Sequence, residues 1–272
     1  MNSNAALRYG QPRSFTRKYD KLLPNLGVSY DFSDAISAYV SYAETLSAPR
    51  TDDLYDQVLV DPGPERSKAY DVGLRYSKGP LLFAASIWLN QFSNRIERVL
   101  DEPSGVAFSQ NVGDVDLKGI DGQVGFKPTD TLSFYGSLSY IDTEIKQDIR
   151  NAVAGVLATK GKSLYEIPKF QGGVRVQWEP IENFSIAAQG KFVGSRWSNL
   201  VNTERFRGYS LWDLDARYKL DGFGLKNTYI QGNIRNLFDK RYLGDISTNL
   251  TGTAVGQPGY RRTFIATLHI EY

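Results

Sequence analysis

The sequence lacks most of the residues on which catalytic and metal centres depend. Its 272 residues include no cysteine and a single histidine. Disulfide bonds, thiolate catalysis and cysteine-ligated metals are therefore excluded. No run approaches the roughly 18 apolar residues of a transmembrane helix. The net charge of +2 is too close to balance to indicate nucleic acid as a partner. Positions 1–4 also lack the basic and apolar regions of a signal peptide.

The sequence is rich in aromatic residues, and apolar residues alternate with polar ones along it. Aromatic residues make up 13% of the chain, a content that suits β-strands and the aromatic girdles of membrane barrels. Residues 132–140 place Leu132, Phe134 and Leu138 on one side of an extended chain, with serines on the other. The same period of two recurs in nearly every segment. It predicts sheets with one apolar and one polar face, which a soluble β-sandwich would also have.

The lengths of the connections between strands distinguish a membrane barrel from a soluble sandwich. Short turns alternate with long loops along the whole chain, as in outer-membrane barrels, which have short periplasmic turns and long extracellular loops. The predicted strands are 22–32, 35–47, 67–77, 81–99, 110–127, 131–146, 169–179, 183–198, 208–220, 228–243 and 260–272. The predicted long loops are 48–66, 100–109, 147–168, 199–207 and 244–259.

The predicted strand number is odd. Eleven is half of 22, the number in plugged outer-membrane transporters, whereas bacterial single-chain barrels use even numbers. An open sheet in lipid would leave unpaired backbone groups at two edges. We therefore expect an all-β, antiparallel up-and-down barrel half (residues 21–272) that further strands complete, and an irregular segment at residues 1–20. We also expect that the chain is cut from a longer protein.

Four segments resemble sequence blocks of TonB-dependent receptors, in the family's order. They are Pro64–Gly73 (PERSKAYDVG), Asn111–Gly113 with Lys118–Asp121 (NVG and KGID), Asn236–Tyr242 (NLFDKRY) and Gly256–Phe264 (GQPGYRRTF). Asp71 replaces the family's usual glutamate, and Arg261 stands where proline is common. The residues of these blocks are interpreted mainly as barrel architecture, because Asn, Asp and Gly satisfy or permit bends and bulges in strands.

The resemblance implies the location and the partners. It implies a bacterial outer-membrane barrel that closes around an N-terminal plug and imports a ferric siderophore or similar nutrient, energised by the TonB complex. The plug and the TonB-contacting box are expected to lie outside this chain. The last strand resembles the signal read by the barrel-assembly machinery, carried by Phe264, Leu268, Ile270 and Tyr272. No resident cofactor is implied.

Ligand contacts are expected in the loops. Ferric chelates are usually anionic and often aromatic, and arginine and aromatic side chains suit them through charge-assisted hydrogen bonds and stacking. The candidates are Arg50, Tyr55, Arg196, Trp197, Arg205 and Arg207, each of which has interfacial packing as its alternative interpretation. A basic stretch at positions 13–21 indicates either contact with lipopolysaccharide or a solvated loop.

Enzymatic and metal chemistry have weaker support. His269 would have to serve any Ser-His-acid triad. Asp213 and Asp215 share a strand face, but basic residues follow on that face, which favours a hydrated wall over a glycosidase pair. Acidic residues between 52 and 61 lack a calcium-loop spacing, and Gly161-Lys162-Ser163 lacks the first glycine of a phosphate-binding loop. We expect no enzyme and no metal site.

Two other functions compete with nutrient uptake. A passive porin-like or structural barrel formed by self-association predicts an even total of strands and no plug. A soluble carbohydrate-binding module predicts solubility without detergent but does not explain the asymmetry of turns and loops. The sequence does not identify the substrate.

Overall fold

One large antiparallel sheet dominates the molecule. The computed structural model describes residues 18–49, 62–101, 106–151, 155–223, 225, 227–247 and 255–271. Eleven strands pair in chain order, so that each strand lies beside the preceding and the following strand of this sheet, and the first and last form its edges. They are β1 (Asn25–Ser33), β2 (Ile36–Ser47), β3 (Glu65–Lys78), β4 (Leu81–Asp101), β5 (Val106–Thr129), β6 (Leu132–Ile145), β9 (Phe170–Ile181), β10 (Phe184–Val193), β13 (Tyr209–Lys219), β14 (Tyr229–Arg235) and β17 (Thr263–His269). The predicted strand number and order are confirmed.

Six short strands form three hairpins outside the large sheet. They are β7 (Ile149–Asn151) with β8 (Gly155–Leu157), β11 (Arg196–Trp197) with β12 (Arg205–Phe206), and β15 (Leu243–Ser247) with β16 (Val255–Pro258). All three lie at the loop end of the sheet, mostly within the predicted loops 147–168, 199–207 and 244–259, whereas β11 falls in the predicted strand 183–198. A 3-10 turn spans Asp221–Phe223 at the opposite, turn end. No helix among the described residues is long and apolar enough to cross a bilayer.

Two predicted strands are too long. The strand predicted at 183–198 leaves the sheet after Val193, where the Gly194 N–H bonds the Phe170 carbonyl. The strand predicted at 228–243 ends at Arg235, because Asn236 turns the chain with a left-handed φ of 51°. The Asn236 side chain holds that turn through bonds to the backbone of Lys240 and to the Tyr260 carbonyl. A polar side chain that bonds backbone groups in this way replaces ladder hydrogen bonds.

The prediction of a loop at 100–109 is also wrong for most of these residues, because β4 ends at Asp101 and β5 begins at Val106. β4 and β5 run 21 and 24 residues and pair from Leu81 opposite Phe126 to Asp101 opposite Val106. Two register shifts near Asn94 and Gly113 interrupt this ladder. Both residues have positive φ, and at Gly113 a Cβ would meet the side chain of Gln147, so glycine is required there. These bulges separate the sheet proper from an extension beyond it.

The two faces of the sheet differ as the alternation predicts. Cross-strand partners such as Val40 with Val72, and Ile230 with Leu268, stack apolar side chains on one face. These side chains stay exposed in the isolated chain, at 64% for Ile87 and 59% for Leu268. The opposite face carries serine, glutamine and charged residues. We call these the apolar face and the polar face.

The buried core of the chain lies at the loop end. Val112, Val115, Ile145, Ile149, Leu157, Leu164 and Leu200 form one hydrophobic cluster, here called the loop core. Val115 and Ile145 are cross-strand partners and are fully buried. Thr159 ties the cluster together by bonding the backbone of Ile149 and Gln147. The described parts of the connections at 147–168 and 199–207 therefore pack together against the ends of β5 and β6.

β1 and β17 are the two edges of the sheet, so the barrel is partial. All residues of both strands are exposed. In lipid, the unpaired backbone groups of such edges would each cost several kcal/mol, roughly the cost of an unsatisfied polar group in hydrocarbon. The fold therefore needs strands beyond these eleven in order to close.

Candidate functional site

The polar face holds a network of paired charges across β9, β10, β13 and β14. Asp213 is its centre: one oxygen accepts from the Arg235 guanidinium at 3.0 Å, and the other from the Asn236 backbone N–H at 2.7 Å. Arg175 approaches Asp215 at 3.8 Å and Gln189 at 3.2 Å. Arg175, Gln189, Asp215 and Arg235 line a cavity of about 300 Å³. Asp213 and Asp215 are paired with Arg175 and Arg235, which supports a hydrated wall.

A second polar group lies on β4, β5 and β6. Asp121 accepts a hydrogen bond of 2.6 Å from the Trp88 indole and another from the Ser139 hydroxyl. The Trp88 ring lies over Gly119, where a Cβ would clash with it. A cavity of about 570 Å³ opens beside this group on the polar face. Asp121 belongs to the KGID block, and these two contacts are with neighbouring strands of the sheet.

His269 also lies on the polar face. Its ring stacks on the Tyr229 ring at a centroid distance of 4.8 Å, and the Arg217 guanidinium lies over the same Tyr229 ring, 4.4 Å from its centroid. β17 and β14 place the two rings opposite each other, because His269 and Tyr229 are cross-strand partners. The histidine therefore takes part in a stack of side chains near the turn end of the wall.

The predicted ligand residues divide into three groups. Arg196 is buried, donates to the Leu243 carbonyl at 3.1 Å and lies 5.8 Å from the Tyr209 ring centroid. Trp197 and Arg205 are brought together, with the guanidinium 5.3 Å from the ring centroid, and they line a narrow cleft with Lys169. Arg207 is exposed nearby. Arg50 and Tyr55 lie outside the described residues, as does the acidic segment 52–61.

One charged group at the loop end was not predicted. Arg95 contacts Glu97 at 2.9 Å and Glu65 at 3.9 Å, and the Tyr165 hydroxyl donates to Glu97 at 2.9 Å. Burial, followed by the nearby charge of Glu97, raises the pKa of Tyr165. The group joins three segments that are distant in sequence: the start of β3, the bulge of β4 and the loop before β9. Glu65 belongs to the PERS block, which was the one available signal.

A carboxylate beside this group is also perturbed. Burial and the neighbouring charge of Asp245 raise the pKa of Glu166, against the opposing effect of Arg196. Glu166 has a left-handed backbone, with φ at 61°, and its N–H bonds the Trp197 carbonyl. The charge of Arg196, whose guanidinium donates to the Leu243 carbonyl, therefore acts on Glu166 from within the loop end.

The predicted assembly signal lies on the edge strand. Phe264, Leu268 and Ile270 are exposed on or just after β17, and Tyr272 lies outside the described residues. Phe264 and Leu268 pair with Ile234 and Ile230 on the apolar face. Their role in assembly stays a prediction.

Comparison with known proteins identifies the family. The family model described as "TonB dependent receptor-like, beta-barrel" matches residues 2–237. The chain belongs to this family of TonB-dependent receptors. Its members are outer-membrane β-barrel proteins of bacteria, and the walls of such barrels have an apolar side toward lipid and a polar side toward the lumen. The family consists of transporters and receptors, consistent with the expectation that the chain is not an enzyme.

Proteins named for ferrichrome and ferrioxamine are among the similar curated proteins, as is a vitamin B12 transporter of Photobacterium profundum. The chain is 23% identical over 226 residues to the ferrichrome outer membrane transporter/phage receptor of Escherichia coli (strain K12), covering 80% of the chain and 28% of that protein. It is 24% identical over 221 residues to the ferrioxamine receptor of Yersinia enterocolitica, covering 79% and 29% respectively. The chain thus spans less than a third of the length of the ferrichrome and ferrioxamine relatives.

The fold matches solved barrels. The siderophore receptor PiuA from Acinetobacter baumannii superposes with a TM-score of 0.73 at 21% identity, over 91% of this chain and 35% of that chain. At this identity the match establishes the fold alone. It confirms the predicted all-β barrel architecture and the partial coverage of a larger barrel.

Proposed function

We propose that this chain forms part of the wall and the external loops of a receptor that takes up a ferric siderophore or a similar scarce nutrient. The observation that carries the proposal is the eleven-stranded sheet with one lipid-type face, one polar face and every long connection at a single end. In outer-membrane barrels that end faces the outside of the cell. The names of the ferrichrome and ferrioxamine relatives support an iron chelate as the substrate class.

The transport cycle needs parts beyond these strands. The open edges at β1 and β17 require additional strands, which we assign to the rest of a 22-stranded barrel. Energy coupling through TonB, and the plug that would fill the lumen, belong to the same proposal. The paired charges of the polar face suit a hydrated lumen wall, because Arg235 on the neighbouring strand pairs with both Asp213 and Asp215.

The loop end supplies the proposed ligand contacts. Trp197 and Arg205 offer a ring and a guanidinium side by side, the combination that suits an anionic chelate with aromatic groups. Arg207 adds a second exposed positive charge. Arg196 has its guanidinium bound within the chain, so we assign it the positioning of Trp197 instead. Arg50 and Tyr55 stay proposed contacts from the first long loop.

Uptake of radiolabelled iron tests the proposal. Deleting the gene that encodes this chain should abolish the uptake of at least one ferric siderophore under iron limitation, and removal of TonB should have the same effect. Uptake that continues without TonB would favour the passive porin-like barrel. Unchanged uptake across a panel of iron chelates, vitamin B12 and heme would contradict the proposal.

The polypeptide mass tests the completion of the barrel. We expect a band of at least about twice 30.5 kDa in the outer-membrane fraction, shifting on boiling as barrels do. A band at 30.5 kDa would mean that self-association supplies the missing strands.

A further inference from the structure

The lipid-facing side of the sheet has a groove where side chains are missing. Gly122, Gly136 and Gly172 occupy adjacent positions on β5, β6 and β9, because Leu138 pairs with Gly122 on one side and with Gly172 on the other. A Cβ at Gly122 would have no atom within 4 Å. The resulting groove measures about 690 Å³, and its walls are almost entirely apolar.

Bulky side chains stand along the groove and stay exposed. Leu138 is 59% exposed and Phe170 is 55% exposed, and neither is covered by another part of the described chain. The other projecting walls are Phe83, Val124, Val174 and Phe192. A recess between such side chains forfeits dispersion contacts unless something of matching width fills it. Since this face lies in the bilayer, the available filler is a lipid acyl chain.

Charge at one end of the groove selects the lipid. Following β6 toward the loop end, Tyr140 packs against Phe170 at 4.9 Å, and Asp142 is the next residue on that face. Two ammonium groups share the single Asp142 carboxylate: Lys169 at 3.0 Å and Lys118 at 3.6 Å. Both lysine side chains are at least half exposed. Further out, Lys146 is held between Asp116 and Glu144, so the excess positive charge belongs to the two inner lysines.

We propose that the groove holds one acyl chain of a phosphorylated outer-leaflet lipid, with the lipid phosphate against Lys118 and Lys169. The height fits, because an aromatic pair at the interface separates the apolar groove from the charged residues, as in barrel girdles. Lipid tails are as apolar as the protein surface, so hydrophobicity alone would not retain a lipid here. Retention comes from the shape of the groove and from charge-assisted bonds to the phosphate.

The first test fills the groove. Gly122→Leu projects a side chain into the recess, and Gly232→Leu is its matched control. Gly232 lies on the same face in β14, its Cβ position also has no atom within 4 Å, and it lies outside the groove. The full polypeptide is purified from outer membranes in mild detergent, and retained lipid A is counted by native mass spectrometry. We expect the wild type and Gly232→Leu to retain one lipid A, and Gly122→Leu to lose it.

The second test removes the charge without touching the groove. Lys118→Ala with Lys169→Ala should lower the affinity for added lipid A by at least about tenfold, because losing even one of the two charge-assisted contacts has about that effect. Dephosphorylated lipid A should bind wild type and variant equally. Equal retention by Gly122→Leu and Gly232→Leu, or a preference for phosphatidylethanolamine over lipid A, would overturn the proposal. If Gly122→Leu fails to assemble, as judged by heat-modifiable mobility, the lysine variant decides the question.

Discussion

The membrane wall and the loop core obey opposite packing rules within one chain. In the wall, Ile87 and Leu268 are 64% and 59% exposed, and their apolar surface is left for lipid. In the loop core, Val115 and Ile145 are fully buried by other parts of the same chain. β5 and β6 pass through both regions, so the rule changes along single strands.

The difference teaches where each region gets its stability. The wall depends on its ladder of backbone bonds, which hydrocarbon makes obligatory, and on lipid around its apolar face. The loop core depends on ordinary burial of apolar side chains from water. Damage to one region should therefore leave the other intact, and this separation can be tested by substitutions in each.

The largest effect is expected inside the loop core. Ile145→Ala removes a fully buried side chain and should destabilise the cluster by roughly 2–5 kcal/mol, the usual cost of such a cavity. Trypsin should then cleave at Lys160 or Lys162, while heat-modifiable mobility of the barrel stays unchanged. Ile120→Ala, at an exposed position of β5 on the apolar face, is the control and should alter neither readout. Equal protection of both variants from trypsin would contradict the separation.

A charge on the lipid face is expected to have the next largest effect. Leu268→Arg should cost about 2–4 kcal/mol if the residue lies near the bilayer midplane, and should reduce the amount of assembled protein in the outer membrane. Thr267→Arg places the same side chain on the polar face of the same strand and should be tolerated. Western blots of outer-membrane fractions measure both. Equal losses would overturn the assignment of the two faces.

The sequence predicted the wall well because the wall is regular. A period of two, interrupted by turn residues such as those at 128–130, is a local signal, and it located all eleven strands. It failed where side chains from distant segments decide the structure. Asn236 ends β14 through bonds to Lys240 and Tyr260, and only the second of these contacts requires the tertiary fold.

The loop end was harder to predict for the same reason. Val112, Ile145 and Leu200 look like any strand or loop residues in sequence, and their burial depends on three connections packing together. Charge type suggested Arg196 and Arg205 equally as ligand contacts. The fold separates them, since Arg196 is 8% exposed and bonds the Leu243 carbonyl, whereas Arg205 stays exposed beside Trp197.

A smaller effect is expected on the polar face. Asp213→Ala removes the acceptor of Arg235 and of the Asn236 N–H, at a cost of about 1–2 kcal/mol, since part of the ion pair is screened by water. The urea midpoint of the refolding barrel should fall by a corresponding amount. Ser185→Ala is the control: Ser185 lines the cavity that Arg235 and Asp215 also line, and its loss should leave the midpoint in place. A midpoint that does not differ between these variants would mean that the network contributes nothing measurable.

The smallest effect is expected at an ion pair between the loop after β14 and the residues just before β17, here called the clamp. Asp239 accepts two bonds from the Arg261 guanidinium and one from the Arg262 N–H, and these lower the pKa of its carboxyl well below the ordinary range. We expect the ion pair to restrain the chain at Arg261, as a proline ring would restrain the backbone there.

The sign of the pH dependence follows from the lowered pKa. The stabilisation by the clamp is fully present above the ordinary carboxyl range near pH 4, and is lost as pH falls through the lower folded-state pKa. Hydrogen exchange of residues 236–242 should therefore be equally slow from about pH 8 to pH 4, after correction for intrinsic rates. Asp239→Asn should speed exchange there at every pH. Adding Arg261→Pro to the Asp239→Asn variant should restore part of the protection. Exchange that accelerates in the wild type already between pH 6 and pH 5 would mean that a different group holds this turn.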